Sequence, residues 1–448
     1  MRRGDLPKDR FDPGYVRNAK RPAYAYPTKP LSDLVSEEPA YGTSARAIDR
    51  VTDDQPRYIR ITDYGDDGIA MPHNFVTAED WSDKHVLSAG DILFARSGAT
   101  VGKTYLHKQT LDPAVFAGYC IRFRMGSAVL PEYVYGFTKT DAYASWVAAI
   151  QRPAGQPNIN KEEFKTLELP VPPLDMQRRL VAELDAARIE RDQALAQADE
   201  AINGFEEWAL KAMGVVAIQP KRRSTFAVRI GSVRNRLDPF HHLPEFIEIE
   251  RAITSAPHAR LGDLVTFSTD TWNPVNHSDP TFRYIEISGV DRRRGKAIAS
   301  AIATDEAPSR ARMAVQPGDL IVSLTRPHHG SIALLGPEHQ DCVASTGFAV
   351  IRNVTGKSSA RFLWAVLRLS SSLRQMLRRA SGGNYPAITQ DELANILVPL
   401  PDINTQQRVI DEAVRRSMDA DGLEAKAEAV WQQARERFEQ QLLKGDAS

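Results

Sequence analysis

Short runs of alternating apolar and polar residues, among them "YIRIT", "DILFA" and "YCIRFR", occupy the first third of the chain between Gly, Pro and Asp. Such alternation predicts half-buried strands, so this part predicts a mixed sheet with long loops. The prolines of "ELPVPPLD" cannot continue a helix or a central strand. After them the chain is helix-forming nearly throughout, from Met176 to Met213.

Apolar residues in this predicted helix recur at a spacing of about 3.5 residues, which is typical of a coiled coil. They are Leu180, Leu184, Ala187, Ala194, Ala198, Ala201, Phe205 and Trp208. Because the stripe is narrow and its flanks are charged, it predicts contact with one partner helix, not with a broad core. Roughly 38 helical residues would make a rod of about 57 Å.

The chain repeats itself in order. Six segments recur at an offset of 226 to 230 residues: "RFDPGY" as "RLDPFH", "PLSDLV" as "RLGDLV", "RYIRITDYGDDG" as "RYIEISGVDRRRG", "SAGDILFA" as "QPGDLIVS", "GQPNINKEEF" as "NYPAITQDEL", and "LPVPPLDMQRRLV" as "VPLPDINTQQRVI". One match could arise by chance, but six collinear matches indicate a tandem duplication.

The duplicate supplies a matching second helix. Its apolar stripe contains Val409, Ala413, Ala420, Leu423, Ala427, Val430 and Ala434. Since the two stripes match in length and spacing, and each contains an arginine (Arg191 and Arg416), we predict that they pair with each other. Two unrelated surface helices are the alternative. Gly422 is the predicted weak point, where the second helix would bend or break.

Composition narrows the function classes. The 448 residues carry 57 Lys+Arg and 57 Asp+Glu, so any basic surface must be local. Two cysteines are too few for a disulfide framework and fit a reducing compartment. The N-terminus lacks the apolar core of a signal peptide, and no stretch of about 20 apolar residues occurs. These features predict a soluble, cytoplasmic protein.

The stretch "SGATVGKTYL", which follows the strand-like "DILFA", has the outline of a phosphate-binding loop. That loop needs four residues between its glycines, whereas Gly98 and Gly102 are separated by three. The duplicate has "SLTRPHHGSIAL", with Gly330 opposite Gly102 but Ser331 opposite Lys103. Loops of different chemistry on a common scaffold predict recognition, not nucleotide binding.

Other catalytic interpretations also fail. The chain has no Asn-Pro-Pro-aromatic tetrad and no glycine fingerprint for S-adenosylmethionine, so we do not expect a methyltransferase. His328 and His329 have no Cys or carboxylate at metal-ligand spacing. Cys120 lies in an alternating run, which predicts a small buried thiol. We therefore expect no catalytic residue and no metal site.

The tandem architecture, "GDILFARSGATVGK", "LPVPPLDMQRRLV", "VPLPDINTQQRVI" and the long helix after each half together resemble the specificity (S) subunit of Type I restriction–modification systems. The resemblance covers nearly the whole chain. It implies a non-catalytic subunit whose two target-recognition domains each read one half of a bipartite DNA site. Two antiparallel helices would then measure the spacer that is not read.

The resemblance also implies partners and cofactors. Two methyltransferase subunits would use S-adenosylmethionine to methylate adenine, and ATP-driven restriction subunits would join them, so S-adenosylmethionine, ATP and Mg are expected in the partners and none in this chain. No membrane partner is expected. A specificity module for a Type II-like methyltransferase–nuclease is the alternative.

We predict an α+β fold with tandem mixed α/β recognition domains, separated by two long helices that pair as an antiparallel coiled coil with pseudo-two-fold symmetry. The predicted segments are 1–168 for the first recognition domain, 169–214 for the central helix, 215–397 for a linker and the second recognition domain, and 398–448 for the distal helix.

Cations and hydrogen-bonding side chains near predicted turns are the candidates for DNA contact, because Lys and Arg bind phosphate and Arg can bind guanine in a fork. Ordinary solvated turns are the alternative. The candidates are Arg96, Ser97, Thr100 and Lys103 in the first half, and Arg292, Arg293, Arg294, Lys296, Arg326, His328, His329, Arg374, Arg378 and Arg379 in the second.

The starts of the two helices are the candidate docking site for methyltransferase subunits. The residues are Gln177, Arg178, Gln406 and Arg408, with simple solvation at a helix start as the alternative. "GQPNIN" and "GNYPAIT" are predicted to be structural turns that feed the helices.

Overall fold

The computed structural model describes residues 22–65, 76–108, 113–150, 157–216, 225–228 and 237–445. The chain divides into two compact units, Met1–Ala194 with Ala425–Ser448, and Leu195–Glu424. "RFDPGY" and the first residues of "GQPNIN" lie outside the described residues. Within the described part of the chain, no helix combines the length and the apolar character that crossing a bilayer requires.

The first unit is built around a four-stranded antiparallel sheet in the order β2-β9-β6-β7, and β4 pairs in parallel with β8. Its strands are β1 Thr28–Pro30, β2 Ala40–Tyr41, β3 Ala47–Asp49, β4 Arg57–Ile59, β5 Val76–Ala78, β6 Ile92–Ala95, β7 Thr104–Leu106, β8 Ala114–Phe116, β9 Cys120–Phe123 and β10 Glu168–Pro170. Its short helices are α1 Pro131–Phe137, α2 Asp141–Ile150 and α3 Lys161–Lys165.

The alternating run "DILFA" forms a fully buried strand, not the predicted half-buried one. Ile92 and Phe94 belong to the core that contains α1 and α2, whereas Leu93 and Ala95 pack into a second apolar cluster on the other face. Both faces of the sheet are therefore covered, which alternation within one strand does not reveal.

The second unit contains two four-stranded sheets, in the orders β12-β21-β18-β19 and β16-β13-β20-β17. Its strands are β11 His258–Arg260, β12 Val265–Phe267, β13 Thr281–Ile285, β14 Val290–Asp291, β15 Lys296–Ala297, β16 Ser300–Ala303, β17 Ala311–Ala314, β18 Leu320–Ser323, β19 Ile332–Leu334, β20 Cys342–Ser345, β21 Phe348–Val354 and β22 Leu397–Pro399. Its short helices are α6 Pro244–Thr254, α7 Ala360–Leu367, α8 Ser370–Arg379 and α9 Gln390–Ala394.

The duplication is confirmed element by element. Helices α1, α2 and α3 begin 229 residues before α7, α8 and α9, and the central strand β6 begins 228 residues before β18. The strand pairing repeats as well, because β13 runs parallel to β20 as β4 does to β8. Each unit therefore repeats one domain scaffold.

The two predicted long helices are present as α4 Leu174–Asn203 with α5 Phe205–Ala212, and as α10 Ile403–Lys444. In the first unit Glu183 accepts a hydrogen bond from Gln441 at 3.1 Å, and Arg191 stacks on Trp431 at 5.0 Å from the ring centre. Since residue numbers rise on α4 as they fall on α10, this pairing is antiparallel. The positions of both predicted stripes are buried or half-buried.

The helix break is at Gly204, not at Gly422. Helix α10 passes through Gly422 without interruption, whereas α4 ends at Asn203 and α5 begins at Phe205. The Arg416 guanidinium donates a hydrogen bond to the Ala201 carbonyl at 3.0 Å and lies 2.9 Å from the place that a Cβ on Gly204 would occupy. The arginine predicted in the second stripe thus satisfies a carbonyl at the break.

Candidate nucleic-acid interface

The first candidate loop joins β6 to β7 and is held tightly at its base. The Gly98 amide donates to the Pro157 carbonyl at 3.0 Å, and the Tyr143 hydroxyl donates to the Gly102 carbonyl at 2.7 Å. Gly102 has φ +85°, and a Cβ there would come within 2.7 Å of Val147. Only glycine fits this position without displacing α2.

The second candidate loop, between β18 and β19, follows the same backbone path. The Arg326 amide donates to the Pro386 carbonyl at 2.7 Å, as Gly98 does to Pro157. Arg326 has φ +46° and Gly330 has φ +75°, at the places of Gly98 and Gly102. A non-glycine residue in this left-handed region costs on the order of 1–3 kcal/mol, so other contacts must hold Arg326 there.

The first loop does not bind phosphate in the manner of an NTPase. Such a loop surrounds phosphates with unsatisfied backbone amides. Here the Val101, Gly102 and Lys103 amides donate to the Gly98, Ala95 and Thr100 carbonyls at 2.9 to 3.1 Å. The amides are engaged within the loop itself.

The predicted residues of the first loop lie in different surroundings. The Arg96 guanidinium lies over the Tyr41 ring, 5.0 Å from its centre. Ser97 is half-buried and bridges to Asn158, and the Thr100 hydroxyl is buried. The Lys103 side chain is exposed. The loop thus offers one exposed cation and one arginine held against an aromatic ring.

Arg326 in the second loop is held in a similar way. Its guanidinium lies over the Tyr385 ring, 4.4 Å from the centre, and donates to the Asn384 carbonyl at 3.1 Å. The Tyr385 side chain is 72% exposed. Sequence reasoning missed Tyr41 and Tyr385 as supports, although "GNYP" was singled out as a turn. In both units an arginine beside the loop is pre-oriented by stacking.

His328 and His329 lie close to cations. Their rings meet edge to face with centres 4.5 Å apart, and Nη1 of Arg292 lies 3.2 Å from Nδ1 of His329. Desolvation, together with Arg326 near both rings, lowers the pKa of each histidine. The structure therefore brings four predicted residues together, and the lowered pKa of each imidazole favours its neutral form.

The remaining cations of the hairpin "DRRRGK" face the helices. Arg293, Arg294 and Lys296 form ion pairs with carboxylates of α4 and α10, and Arg294 is only 5% exposed. This arrangement differs from the predicted phosphate clamp. The carboxylates that engage the hairpin lie about 100 residues or more away in sequence, so local composition could not reveal them.

The three arginines of α8 contact α6 instead of lying free before the glycine turn. Arg374 pairs with Glu245 at 2.7 Å, Arg378 with Glu250 at 2.6 Å, and Arg379 with Glu250 at 3.4 Å. Helix α6 follows "RLDPFH", the repeat of the N-terminal "RFDPGY". Through these ion pairs α6 packs on the domain of the second unit. These arginines are held by neighbouring carboxylates, and their predicted contact with phosphate stays a prediction.

Two of the predicted docking residues are not on the surface. Gln177 is 0% exposed, and its amide accepts from Leu130 N at 2.8 Å and donates to the Pro172 carbonyl at 2.9 Å. Gln406 is 3% exposed and donates to the Lys357 and Pro401 carbonyls, both at 2.9 Å. Each amide ties a helix start to the adjoining domain, which favours a structural role, and docking through these two residues stays a prediction.

Arg178 and Arg408, the other two docking candidates, are exposed at the helix starts. Arg178 pairs with Asp175 on the same helix at 2.6 Å. Docking through these two arginines remains a prediction.

Comparisons with known proteins agree with this architecture. The model of the Type I restriction modification DNA specificity domain matches residues 54–195 and 258–412. The Type I restriction enzyme HindI specificity subunit of Haemophilus influenzae is 28% identical over 106 residues, 23% of either chain. The StySPI specificity subunit of Salmonella potsdam is 25% identical over 137 residues, 30% of this chain and 28% of its own. The matches thus span only about a quarter of the length of these curated relatives.

A solved structure supports the fold. It comes from work on complex assembly and conformational transition of the type I R-M system, covers 94% of this chain and 100% of its own, and has 17% identity and a TM-score of 0.51. The family match falls once in each structural repeat, on the two scaffolds described above. The chain therefore belongs to the Type I restriction–modification DNA specificity family, with one copy of the family domain in each half.

Proposed function

We propose that this chain is the DNA-recognition subunit of a Type I restriction–modification complex. Its two recognition domains each read one half of a bipartite site in double-stranded DNA, and its helix pair sets the spacer between them. The chain performs no catalysis. The observation that carries this proposal is the equivalence of the loops Ser97–Lys103 and Thr325–Ser331, which share anchors and backbone but differ in side chains.

Different side chains on the same scaffold are what reading two unlike half-sites requires. Arg96 and Arg326, each stacked on a tyrosine, are the best-placed base readers, because a pre-oriented guanidinium loses little entropy when it forks onto guanine. Lys103 and Arg292 are exposed and suit phosphate contact.

The proposal includes partners. Two methyltransferase subunits that use S-adenosylmethionine, and restriction subunits that use ATP and Mg, would supply the chemistry that this chain lacks. The family match favours this Type I assembly over a module for a Type II-like methyltransferase–nuclease.

A domain exchange tests the proposal. The full-length chain is co-expressed with the methyltransferase encoded beside its gene, and modified adenines are mapped across the host genome. Replacing residues 1–160 with the same region of another family member should change one half-site and leave the other unchanged. A change in both half-sites, or the same modification pattern after the exchange, would refute the proposal.

A further inference from the structure

The hairpin of β14 and β15 lies against the helix pair within the second unit. Arg294, at its tip, is 5% exposed and forms ion pairs with Asp421 at 3.3 Å and Glu424 at 2.6 Å, both on α10. Its guanidinium also donates to the Ser417 carbonyl at 3.2 Å. A guanidinium that is this well buried and paired with two carboxylates fixes the hairpin to α10.

Two neighbouring cations extend this contact to both helices. Lys296 pairs with Asp421 at 3.0 Å, and Arg293 pairs with Glu424 at 3.2 Å and also with Asp199 on α4. A network that shares its carboxylates is stronger than isolated surface pairs, which contribute little. The hairpin therefore contacts both helices at once.

The other side of the hairpin is fixed to its own domain. Gly295 has φ +62°, and its carbonyl accepts a hydrogen bond from the Trp364 indole at 3.1 Å. The Arg368 guanidinium, stacked on Trp364 at 4.7 Å, donates to the Arg293 carbonyl at 2.5 Å. Arg292 of the same hairpin meets the candidate loop at His329. The hairpin thus connects the helix pair to the candidate recognition loop.

The domain is also attached to the start of α10, through Gln406 and through an apolar core that includes Val409, Ile410 and Ala413. Asp421 and Glu424 lie 15 and 18 residues further along α10, which corresponds to about 23–27 Å. Because the first contact lies at the start of α10, a second contact this far along the helix restrains the domain against tilting.

We propose that the hairpin Asp291–Lys296 is a brace that fixes the orientation of the second recognition domain on the helix pair, with Arg294 as its central positioning residue. This inference rests on the proposed function, because orientation matters only if the domain reads DNA at a set distance. It concerns the second half alone: the first copy has Asp66 and Asp67 opposite Arg292 and Arg293, outside the described residues, and acidic side chains cannot make the same ion pairs with carboxylates.

The test compares spacer discrimination. The double variant Asp421→Asn/Glu424→Gln removes the carboxylates from partly exposed helix positions, and Asp419→Asn, whose carboxylate pairs with Arg415 on the same helix, is the matched control. Each full-length chain, in complex with its methyltransferase subunits, is titrated with duplexes that carry the native spacer or one base pair more or less. We expect the double variant to lose on the order of tenfold in its preference for the native spacer.

The half-site sequences recognised by the double variant should remain those of the unaltered complex, and Asp419→Asn should keep the full preference. Arg294→Met, which keeps the length of the side chain but not its charge, should have the same effect as the double variant. If the unaltered complex discriminates spacers and both sets of variants discriminate equally well, the brace is wrong. If the unaltered complex binds no bipartite site, the proposed function itself fails.

Discussion

The buried amides at the two helix starts lead to a quantitative prediction. In Gln406→Met the side chain keeps its approximate volume but can no longer donate to the Lys357 and Pro401 carbonyls, each 2.9 Å away. A buried polar group left without a partner costs about 1–3 kcal/mol, so we expect a loss of about 3 kcal/mol in the free energy of unfolding. Gln177→Met should cost at least as much, because it leaves one amide and two carbonyls without their partner.

Chemical denaturation with urea measures this effect, with each unit followed as its own transition where the curve shows two. Gln407→Met is the matched control for Gln406, because Gln407 is exposed and bonds to Asp411 on the same helix at 2.7 Å. The control should stay within about 0.5 kcal/mol of the unaltered protein. Equal stabilities of Gln406→Met and Gln407→Met would refute a structural role, and loss of partner binding by Gln406→Met without any loss of stability would support the docking hypothesis.

Three further predictions follow from other parts of the molecule. Gly102→Ala should lower the free energy of unfolding by about 2–4 kcal/mol in thermal or urea denaturation, because its Cβ would meet Val147. Gly318→Ala, with a similar φ of +91° but open space around the Cβ, should cost only about 1–2 kcal/mol. Equal costs for the two variants would contradict the steric argument. Burial raises the pKa of Cys120 to about 12, so this thiol should resist alkylation at pH 8 in the folded protein and react after denaturation. Rapid labelling of the native protein would contradict the burial of Cys120. Hydrogen bonds from Arg415 and Arg416 lower the pKa of Glu412 to about 2, so its contribution to stability is present above the unfolded value near 4.5 and is lost as pH falls toward 2. Glu412→Gln should therefore lose less stability than the unaltered protein over that pH range. The same pH profile in both proteins would contradict this prediction.

The duplication and the two long helices could be predicted from the sequence because both leave patterns among residues that are near each other in the chain. The six repeated segments and the apolar stripes need no knowledge of distant neighbours. The prolines before Leu174 and Ile403 likewise mark the helix starts locally. The structure therefore contains the predicted repeat and both helices, and only the residues at which the helices begin and end differ slightly.

The roles of polar side chains could not be predicted in the same way. Gln177 and Gln406 stand at helix starts, where a glutamine is usually solvated, and only the fold brings backbone carbonyls to their amides. Arg294 has the local sequence of an exposed turn, but its carboxylates lie more than 120 residues further along the chain. The helix break at Gly204 lies beside Arg416 of the partner helix, a contact that only the fold brings about.

The most direct test of the central claim changes the helix pair and leaves the recognition domains alone. Two heptads are removed from the described part of each long helix, the altered chain is co-expressed with its methyltransferase, and modified adenines are mapped across the genome. A bipartite target with both half-sites unchanged and a different spacer length is the predicted result. Altered half-sites with an unchanged spacer, or a continuous target in the unaltered protein, would contradict the account.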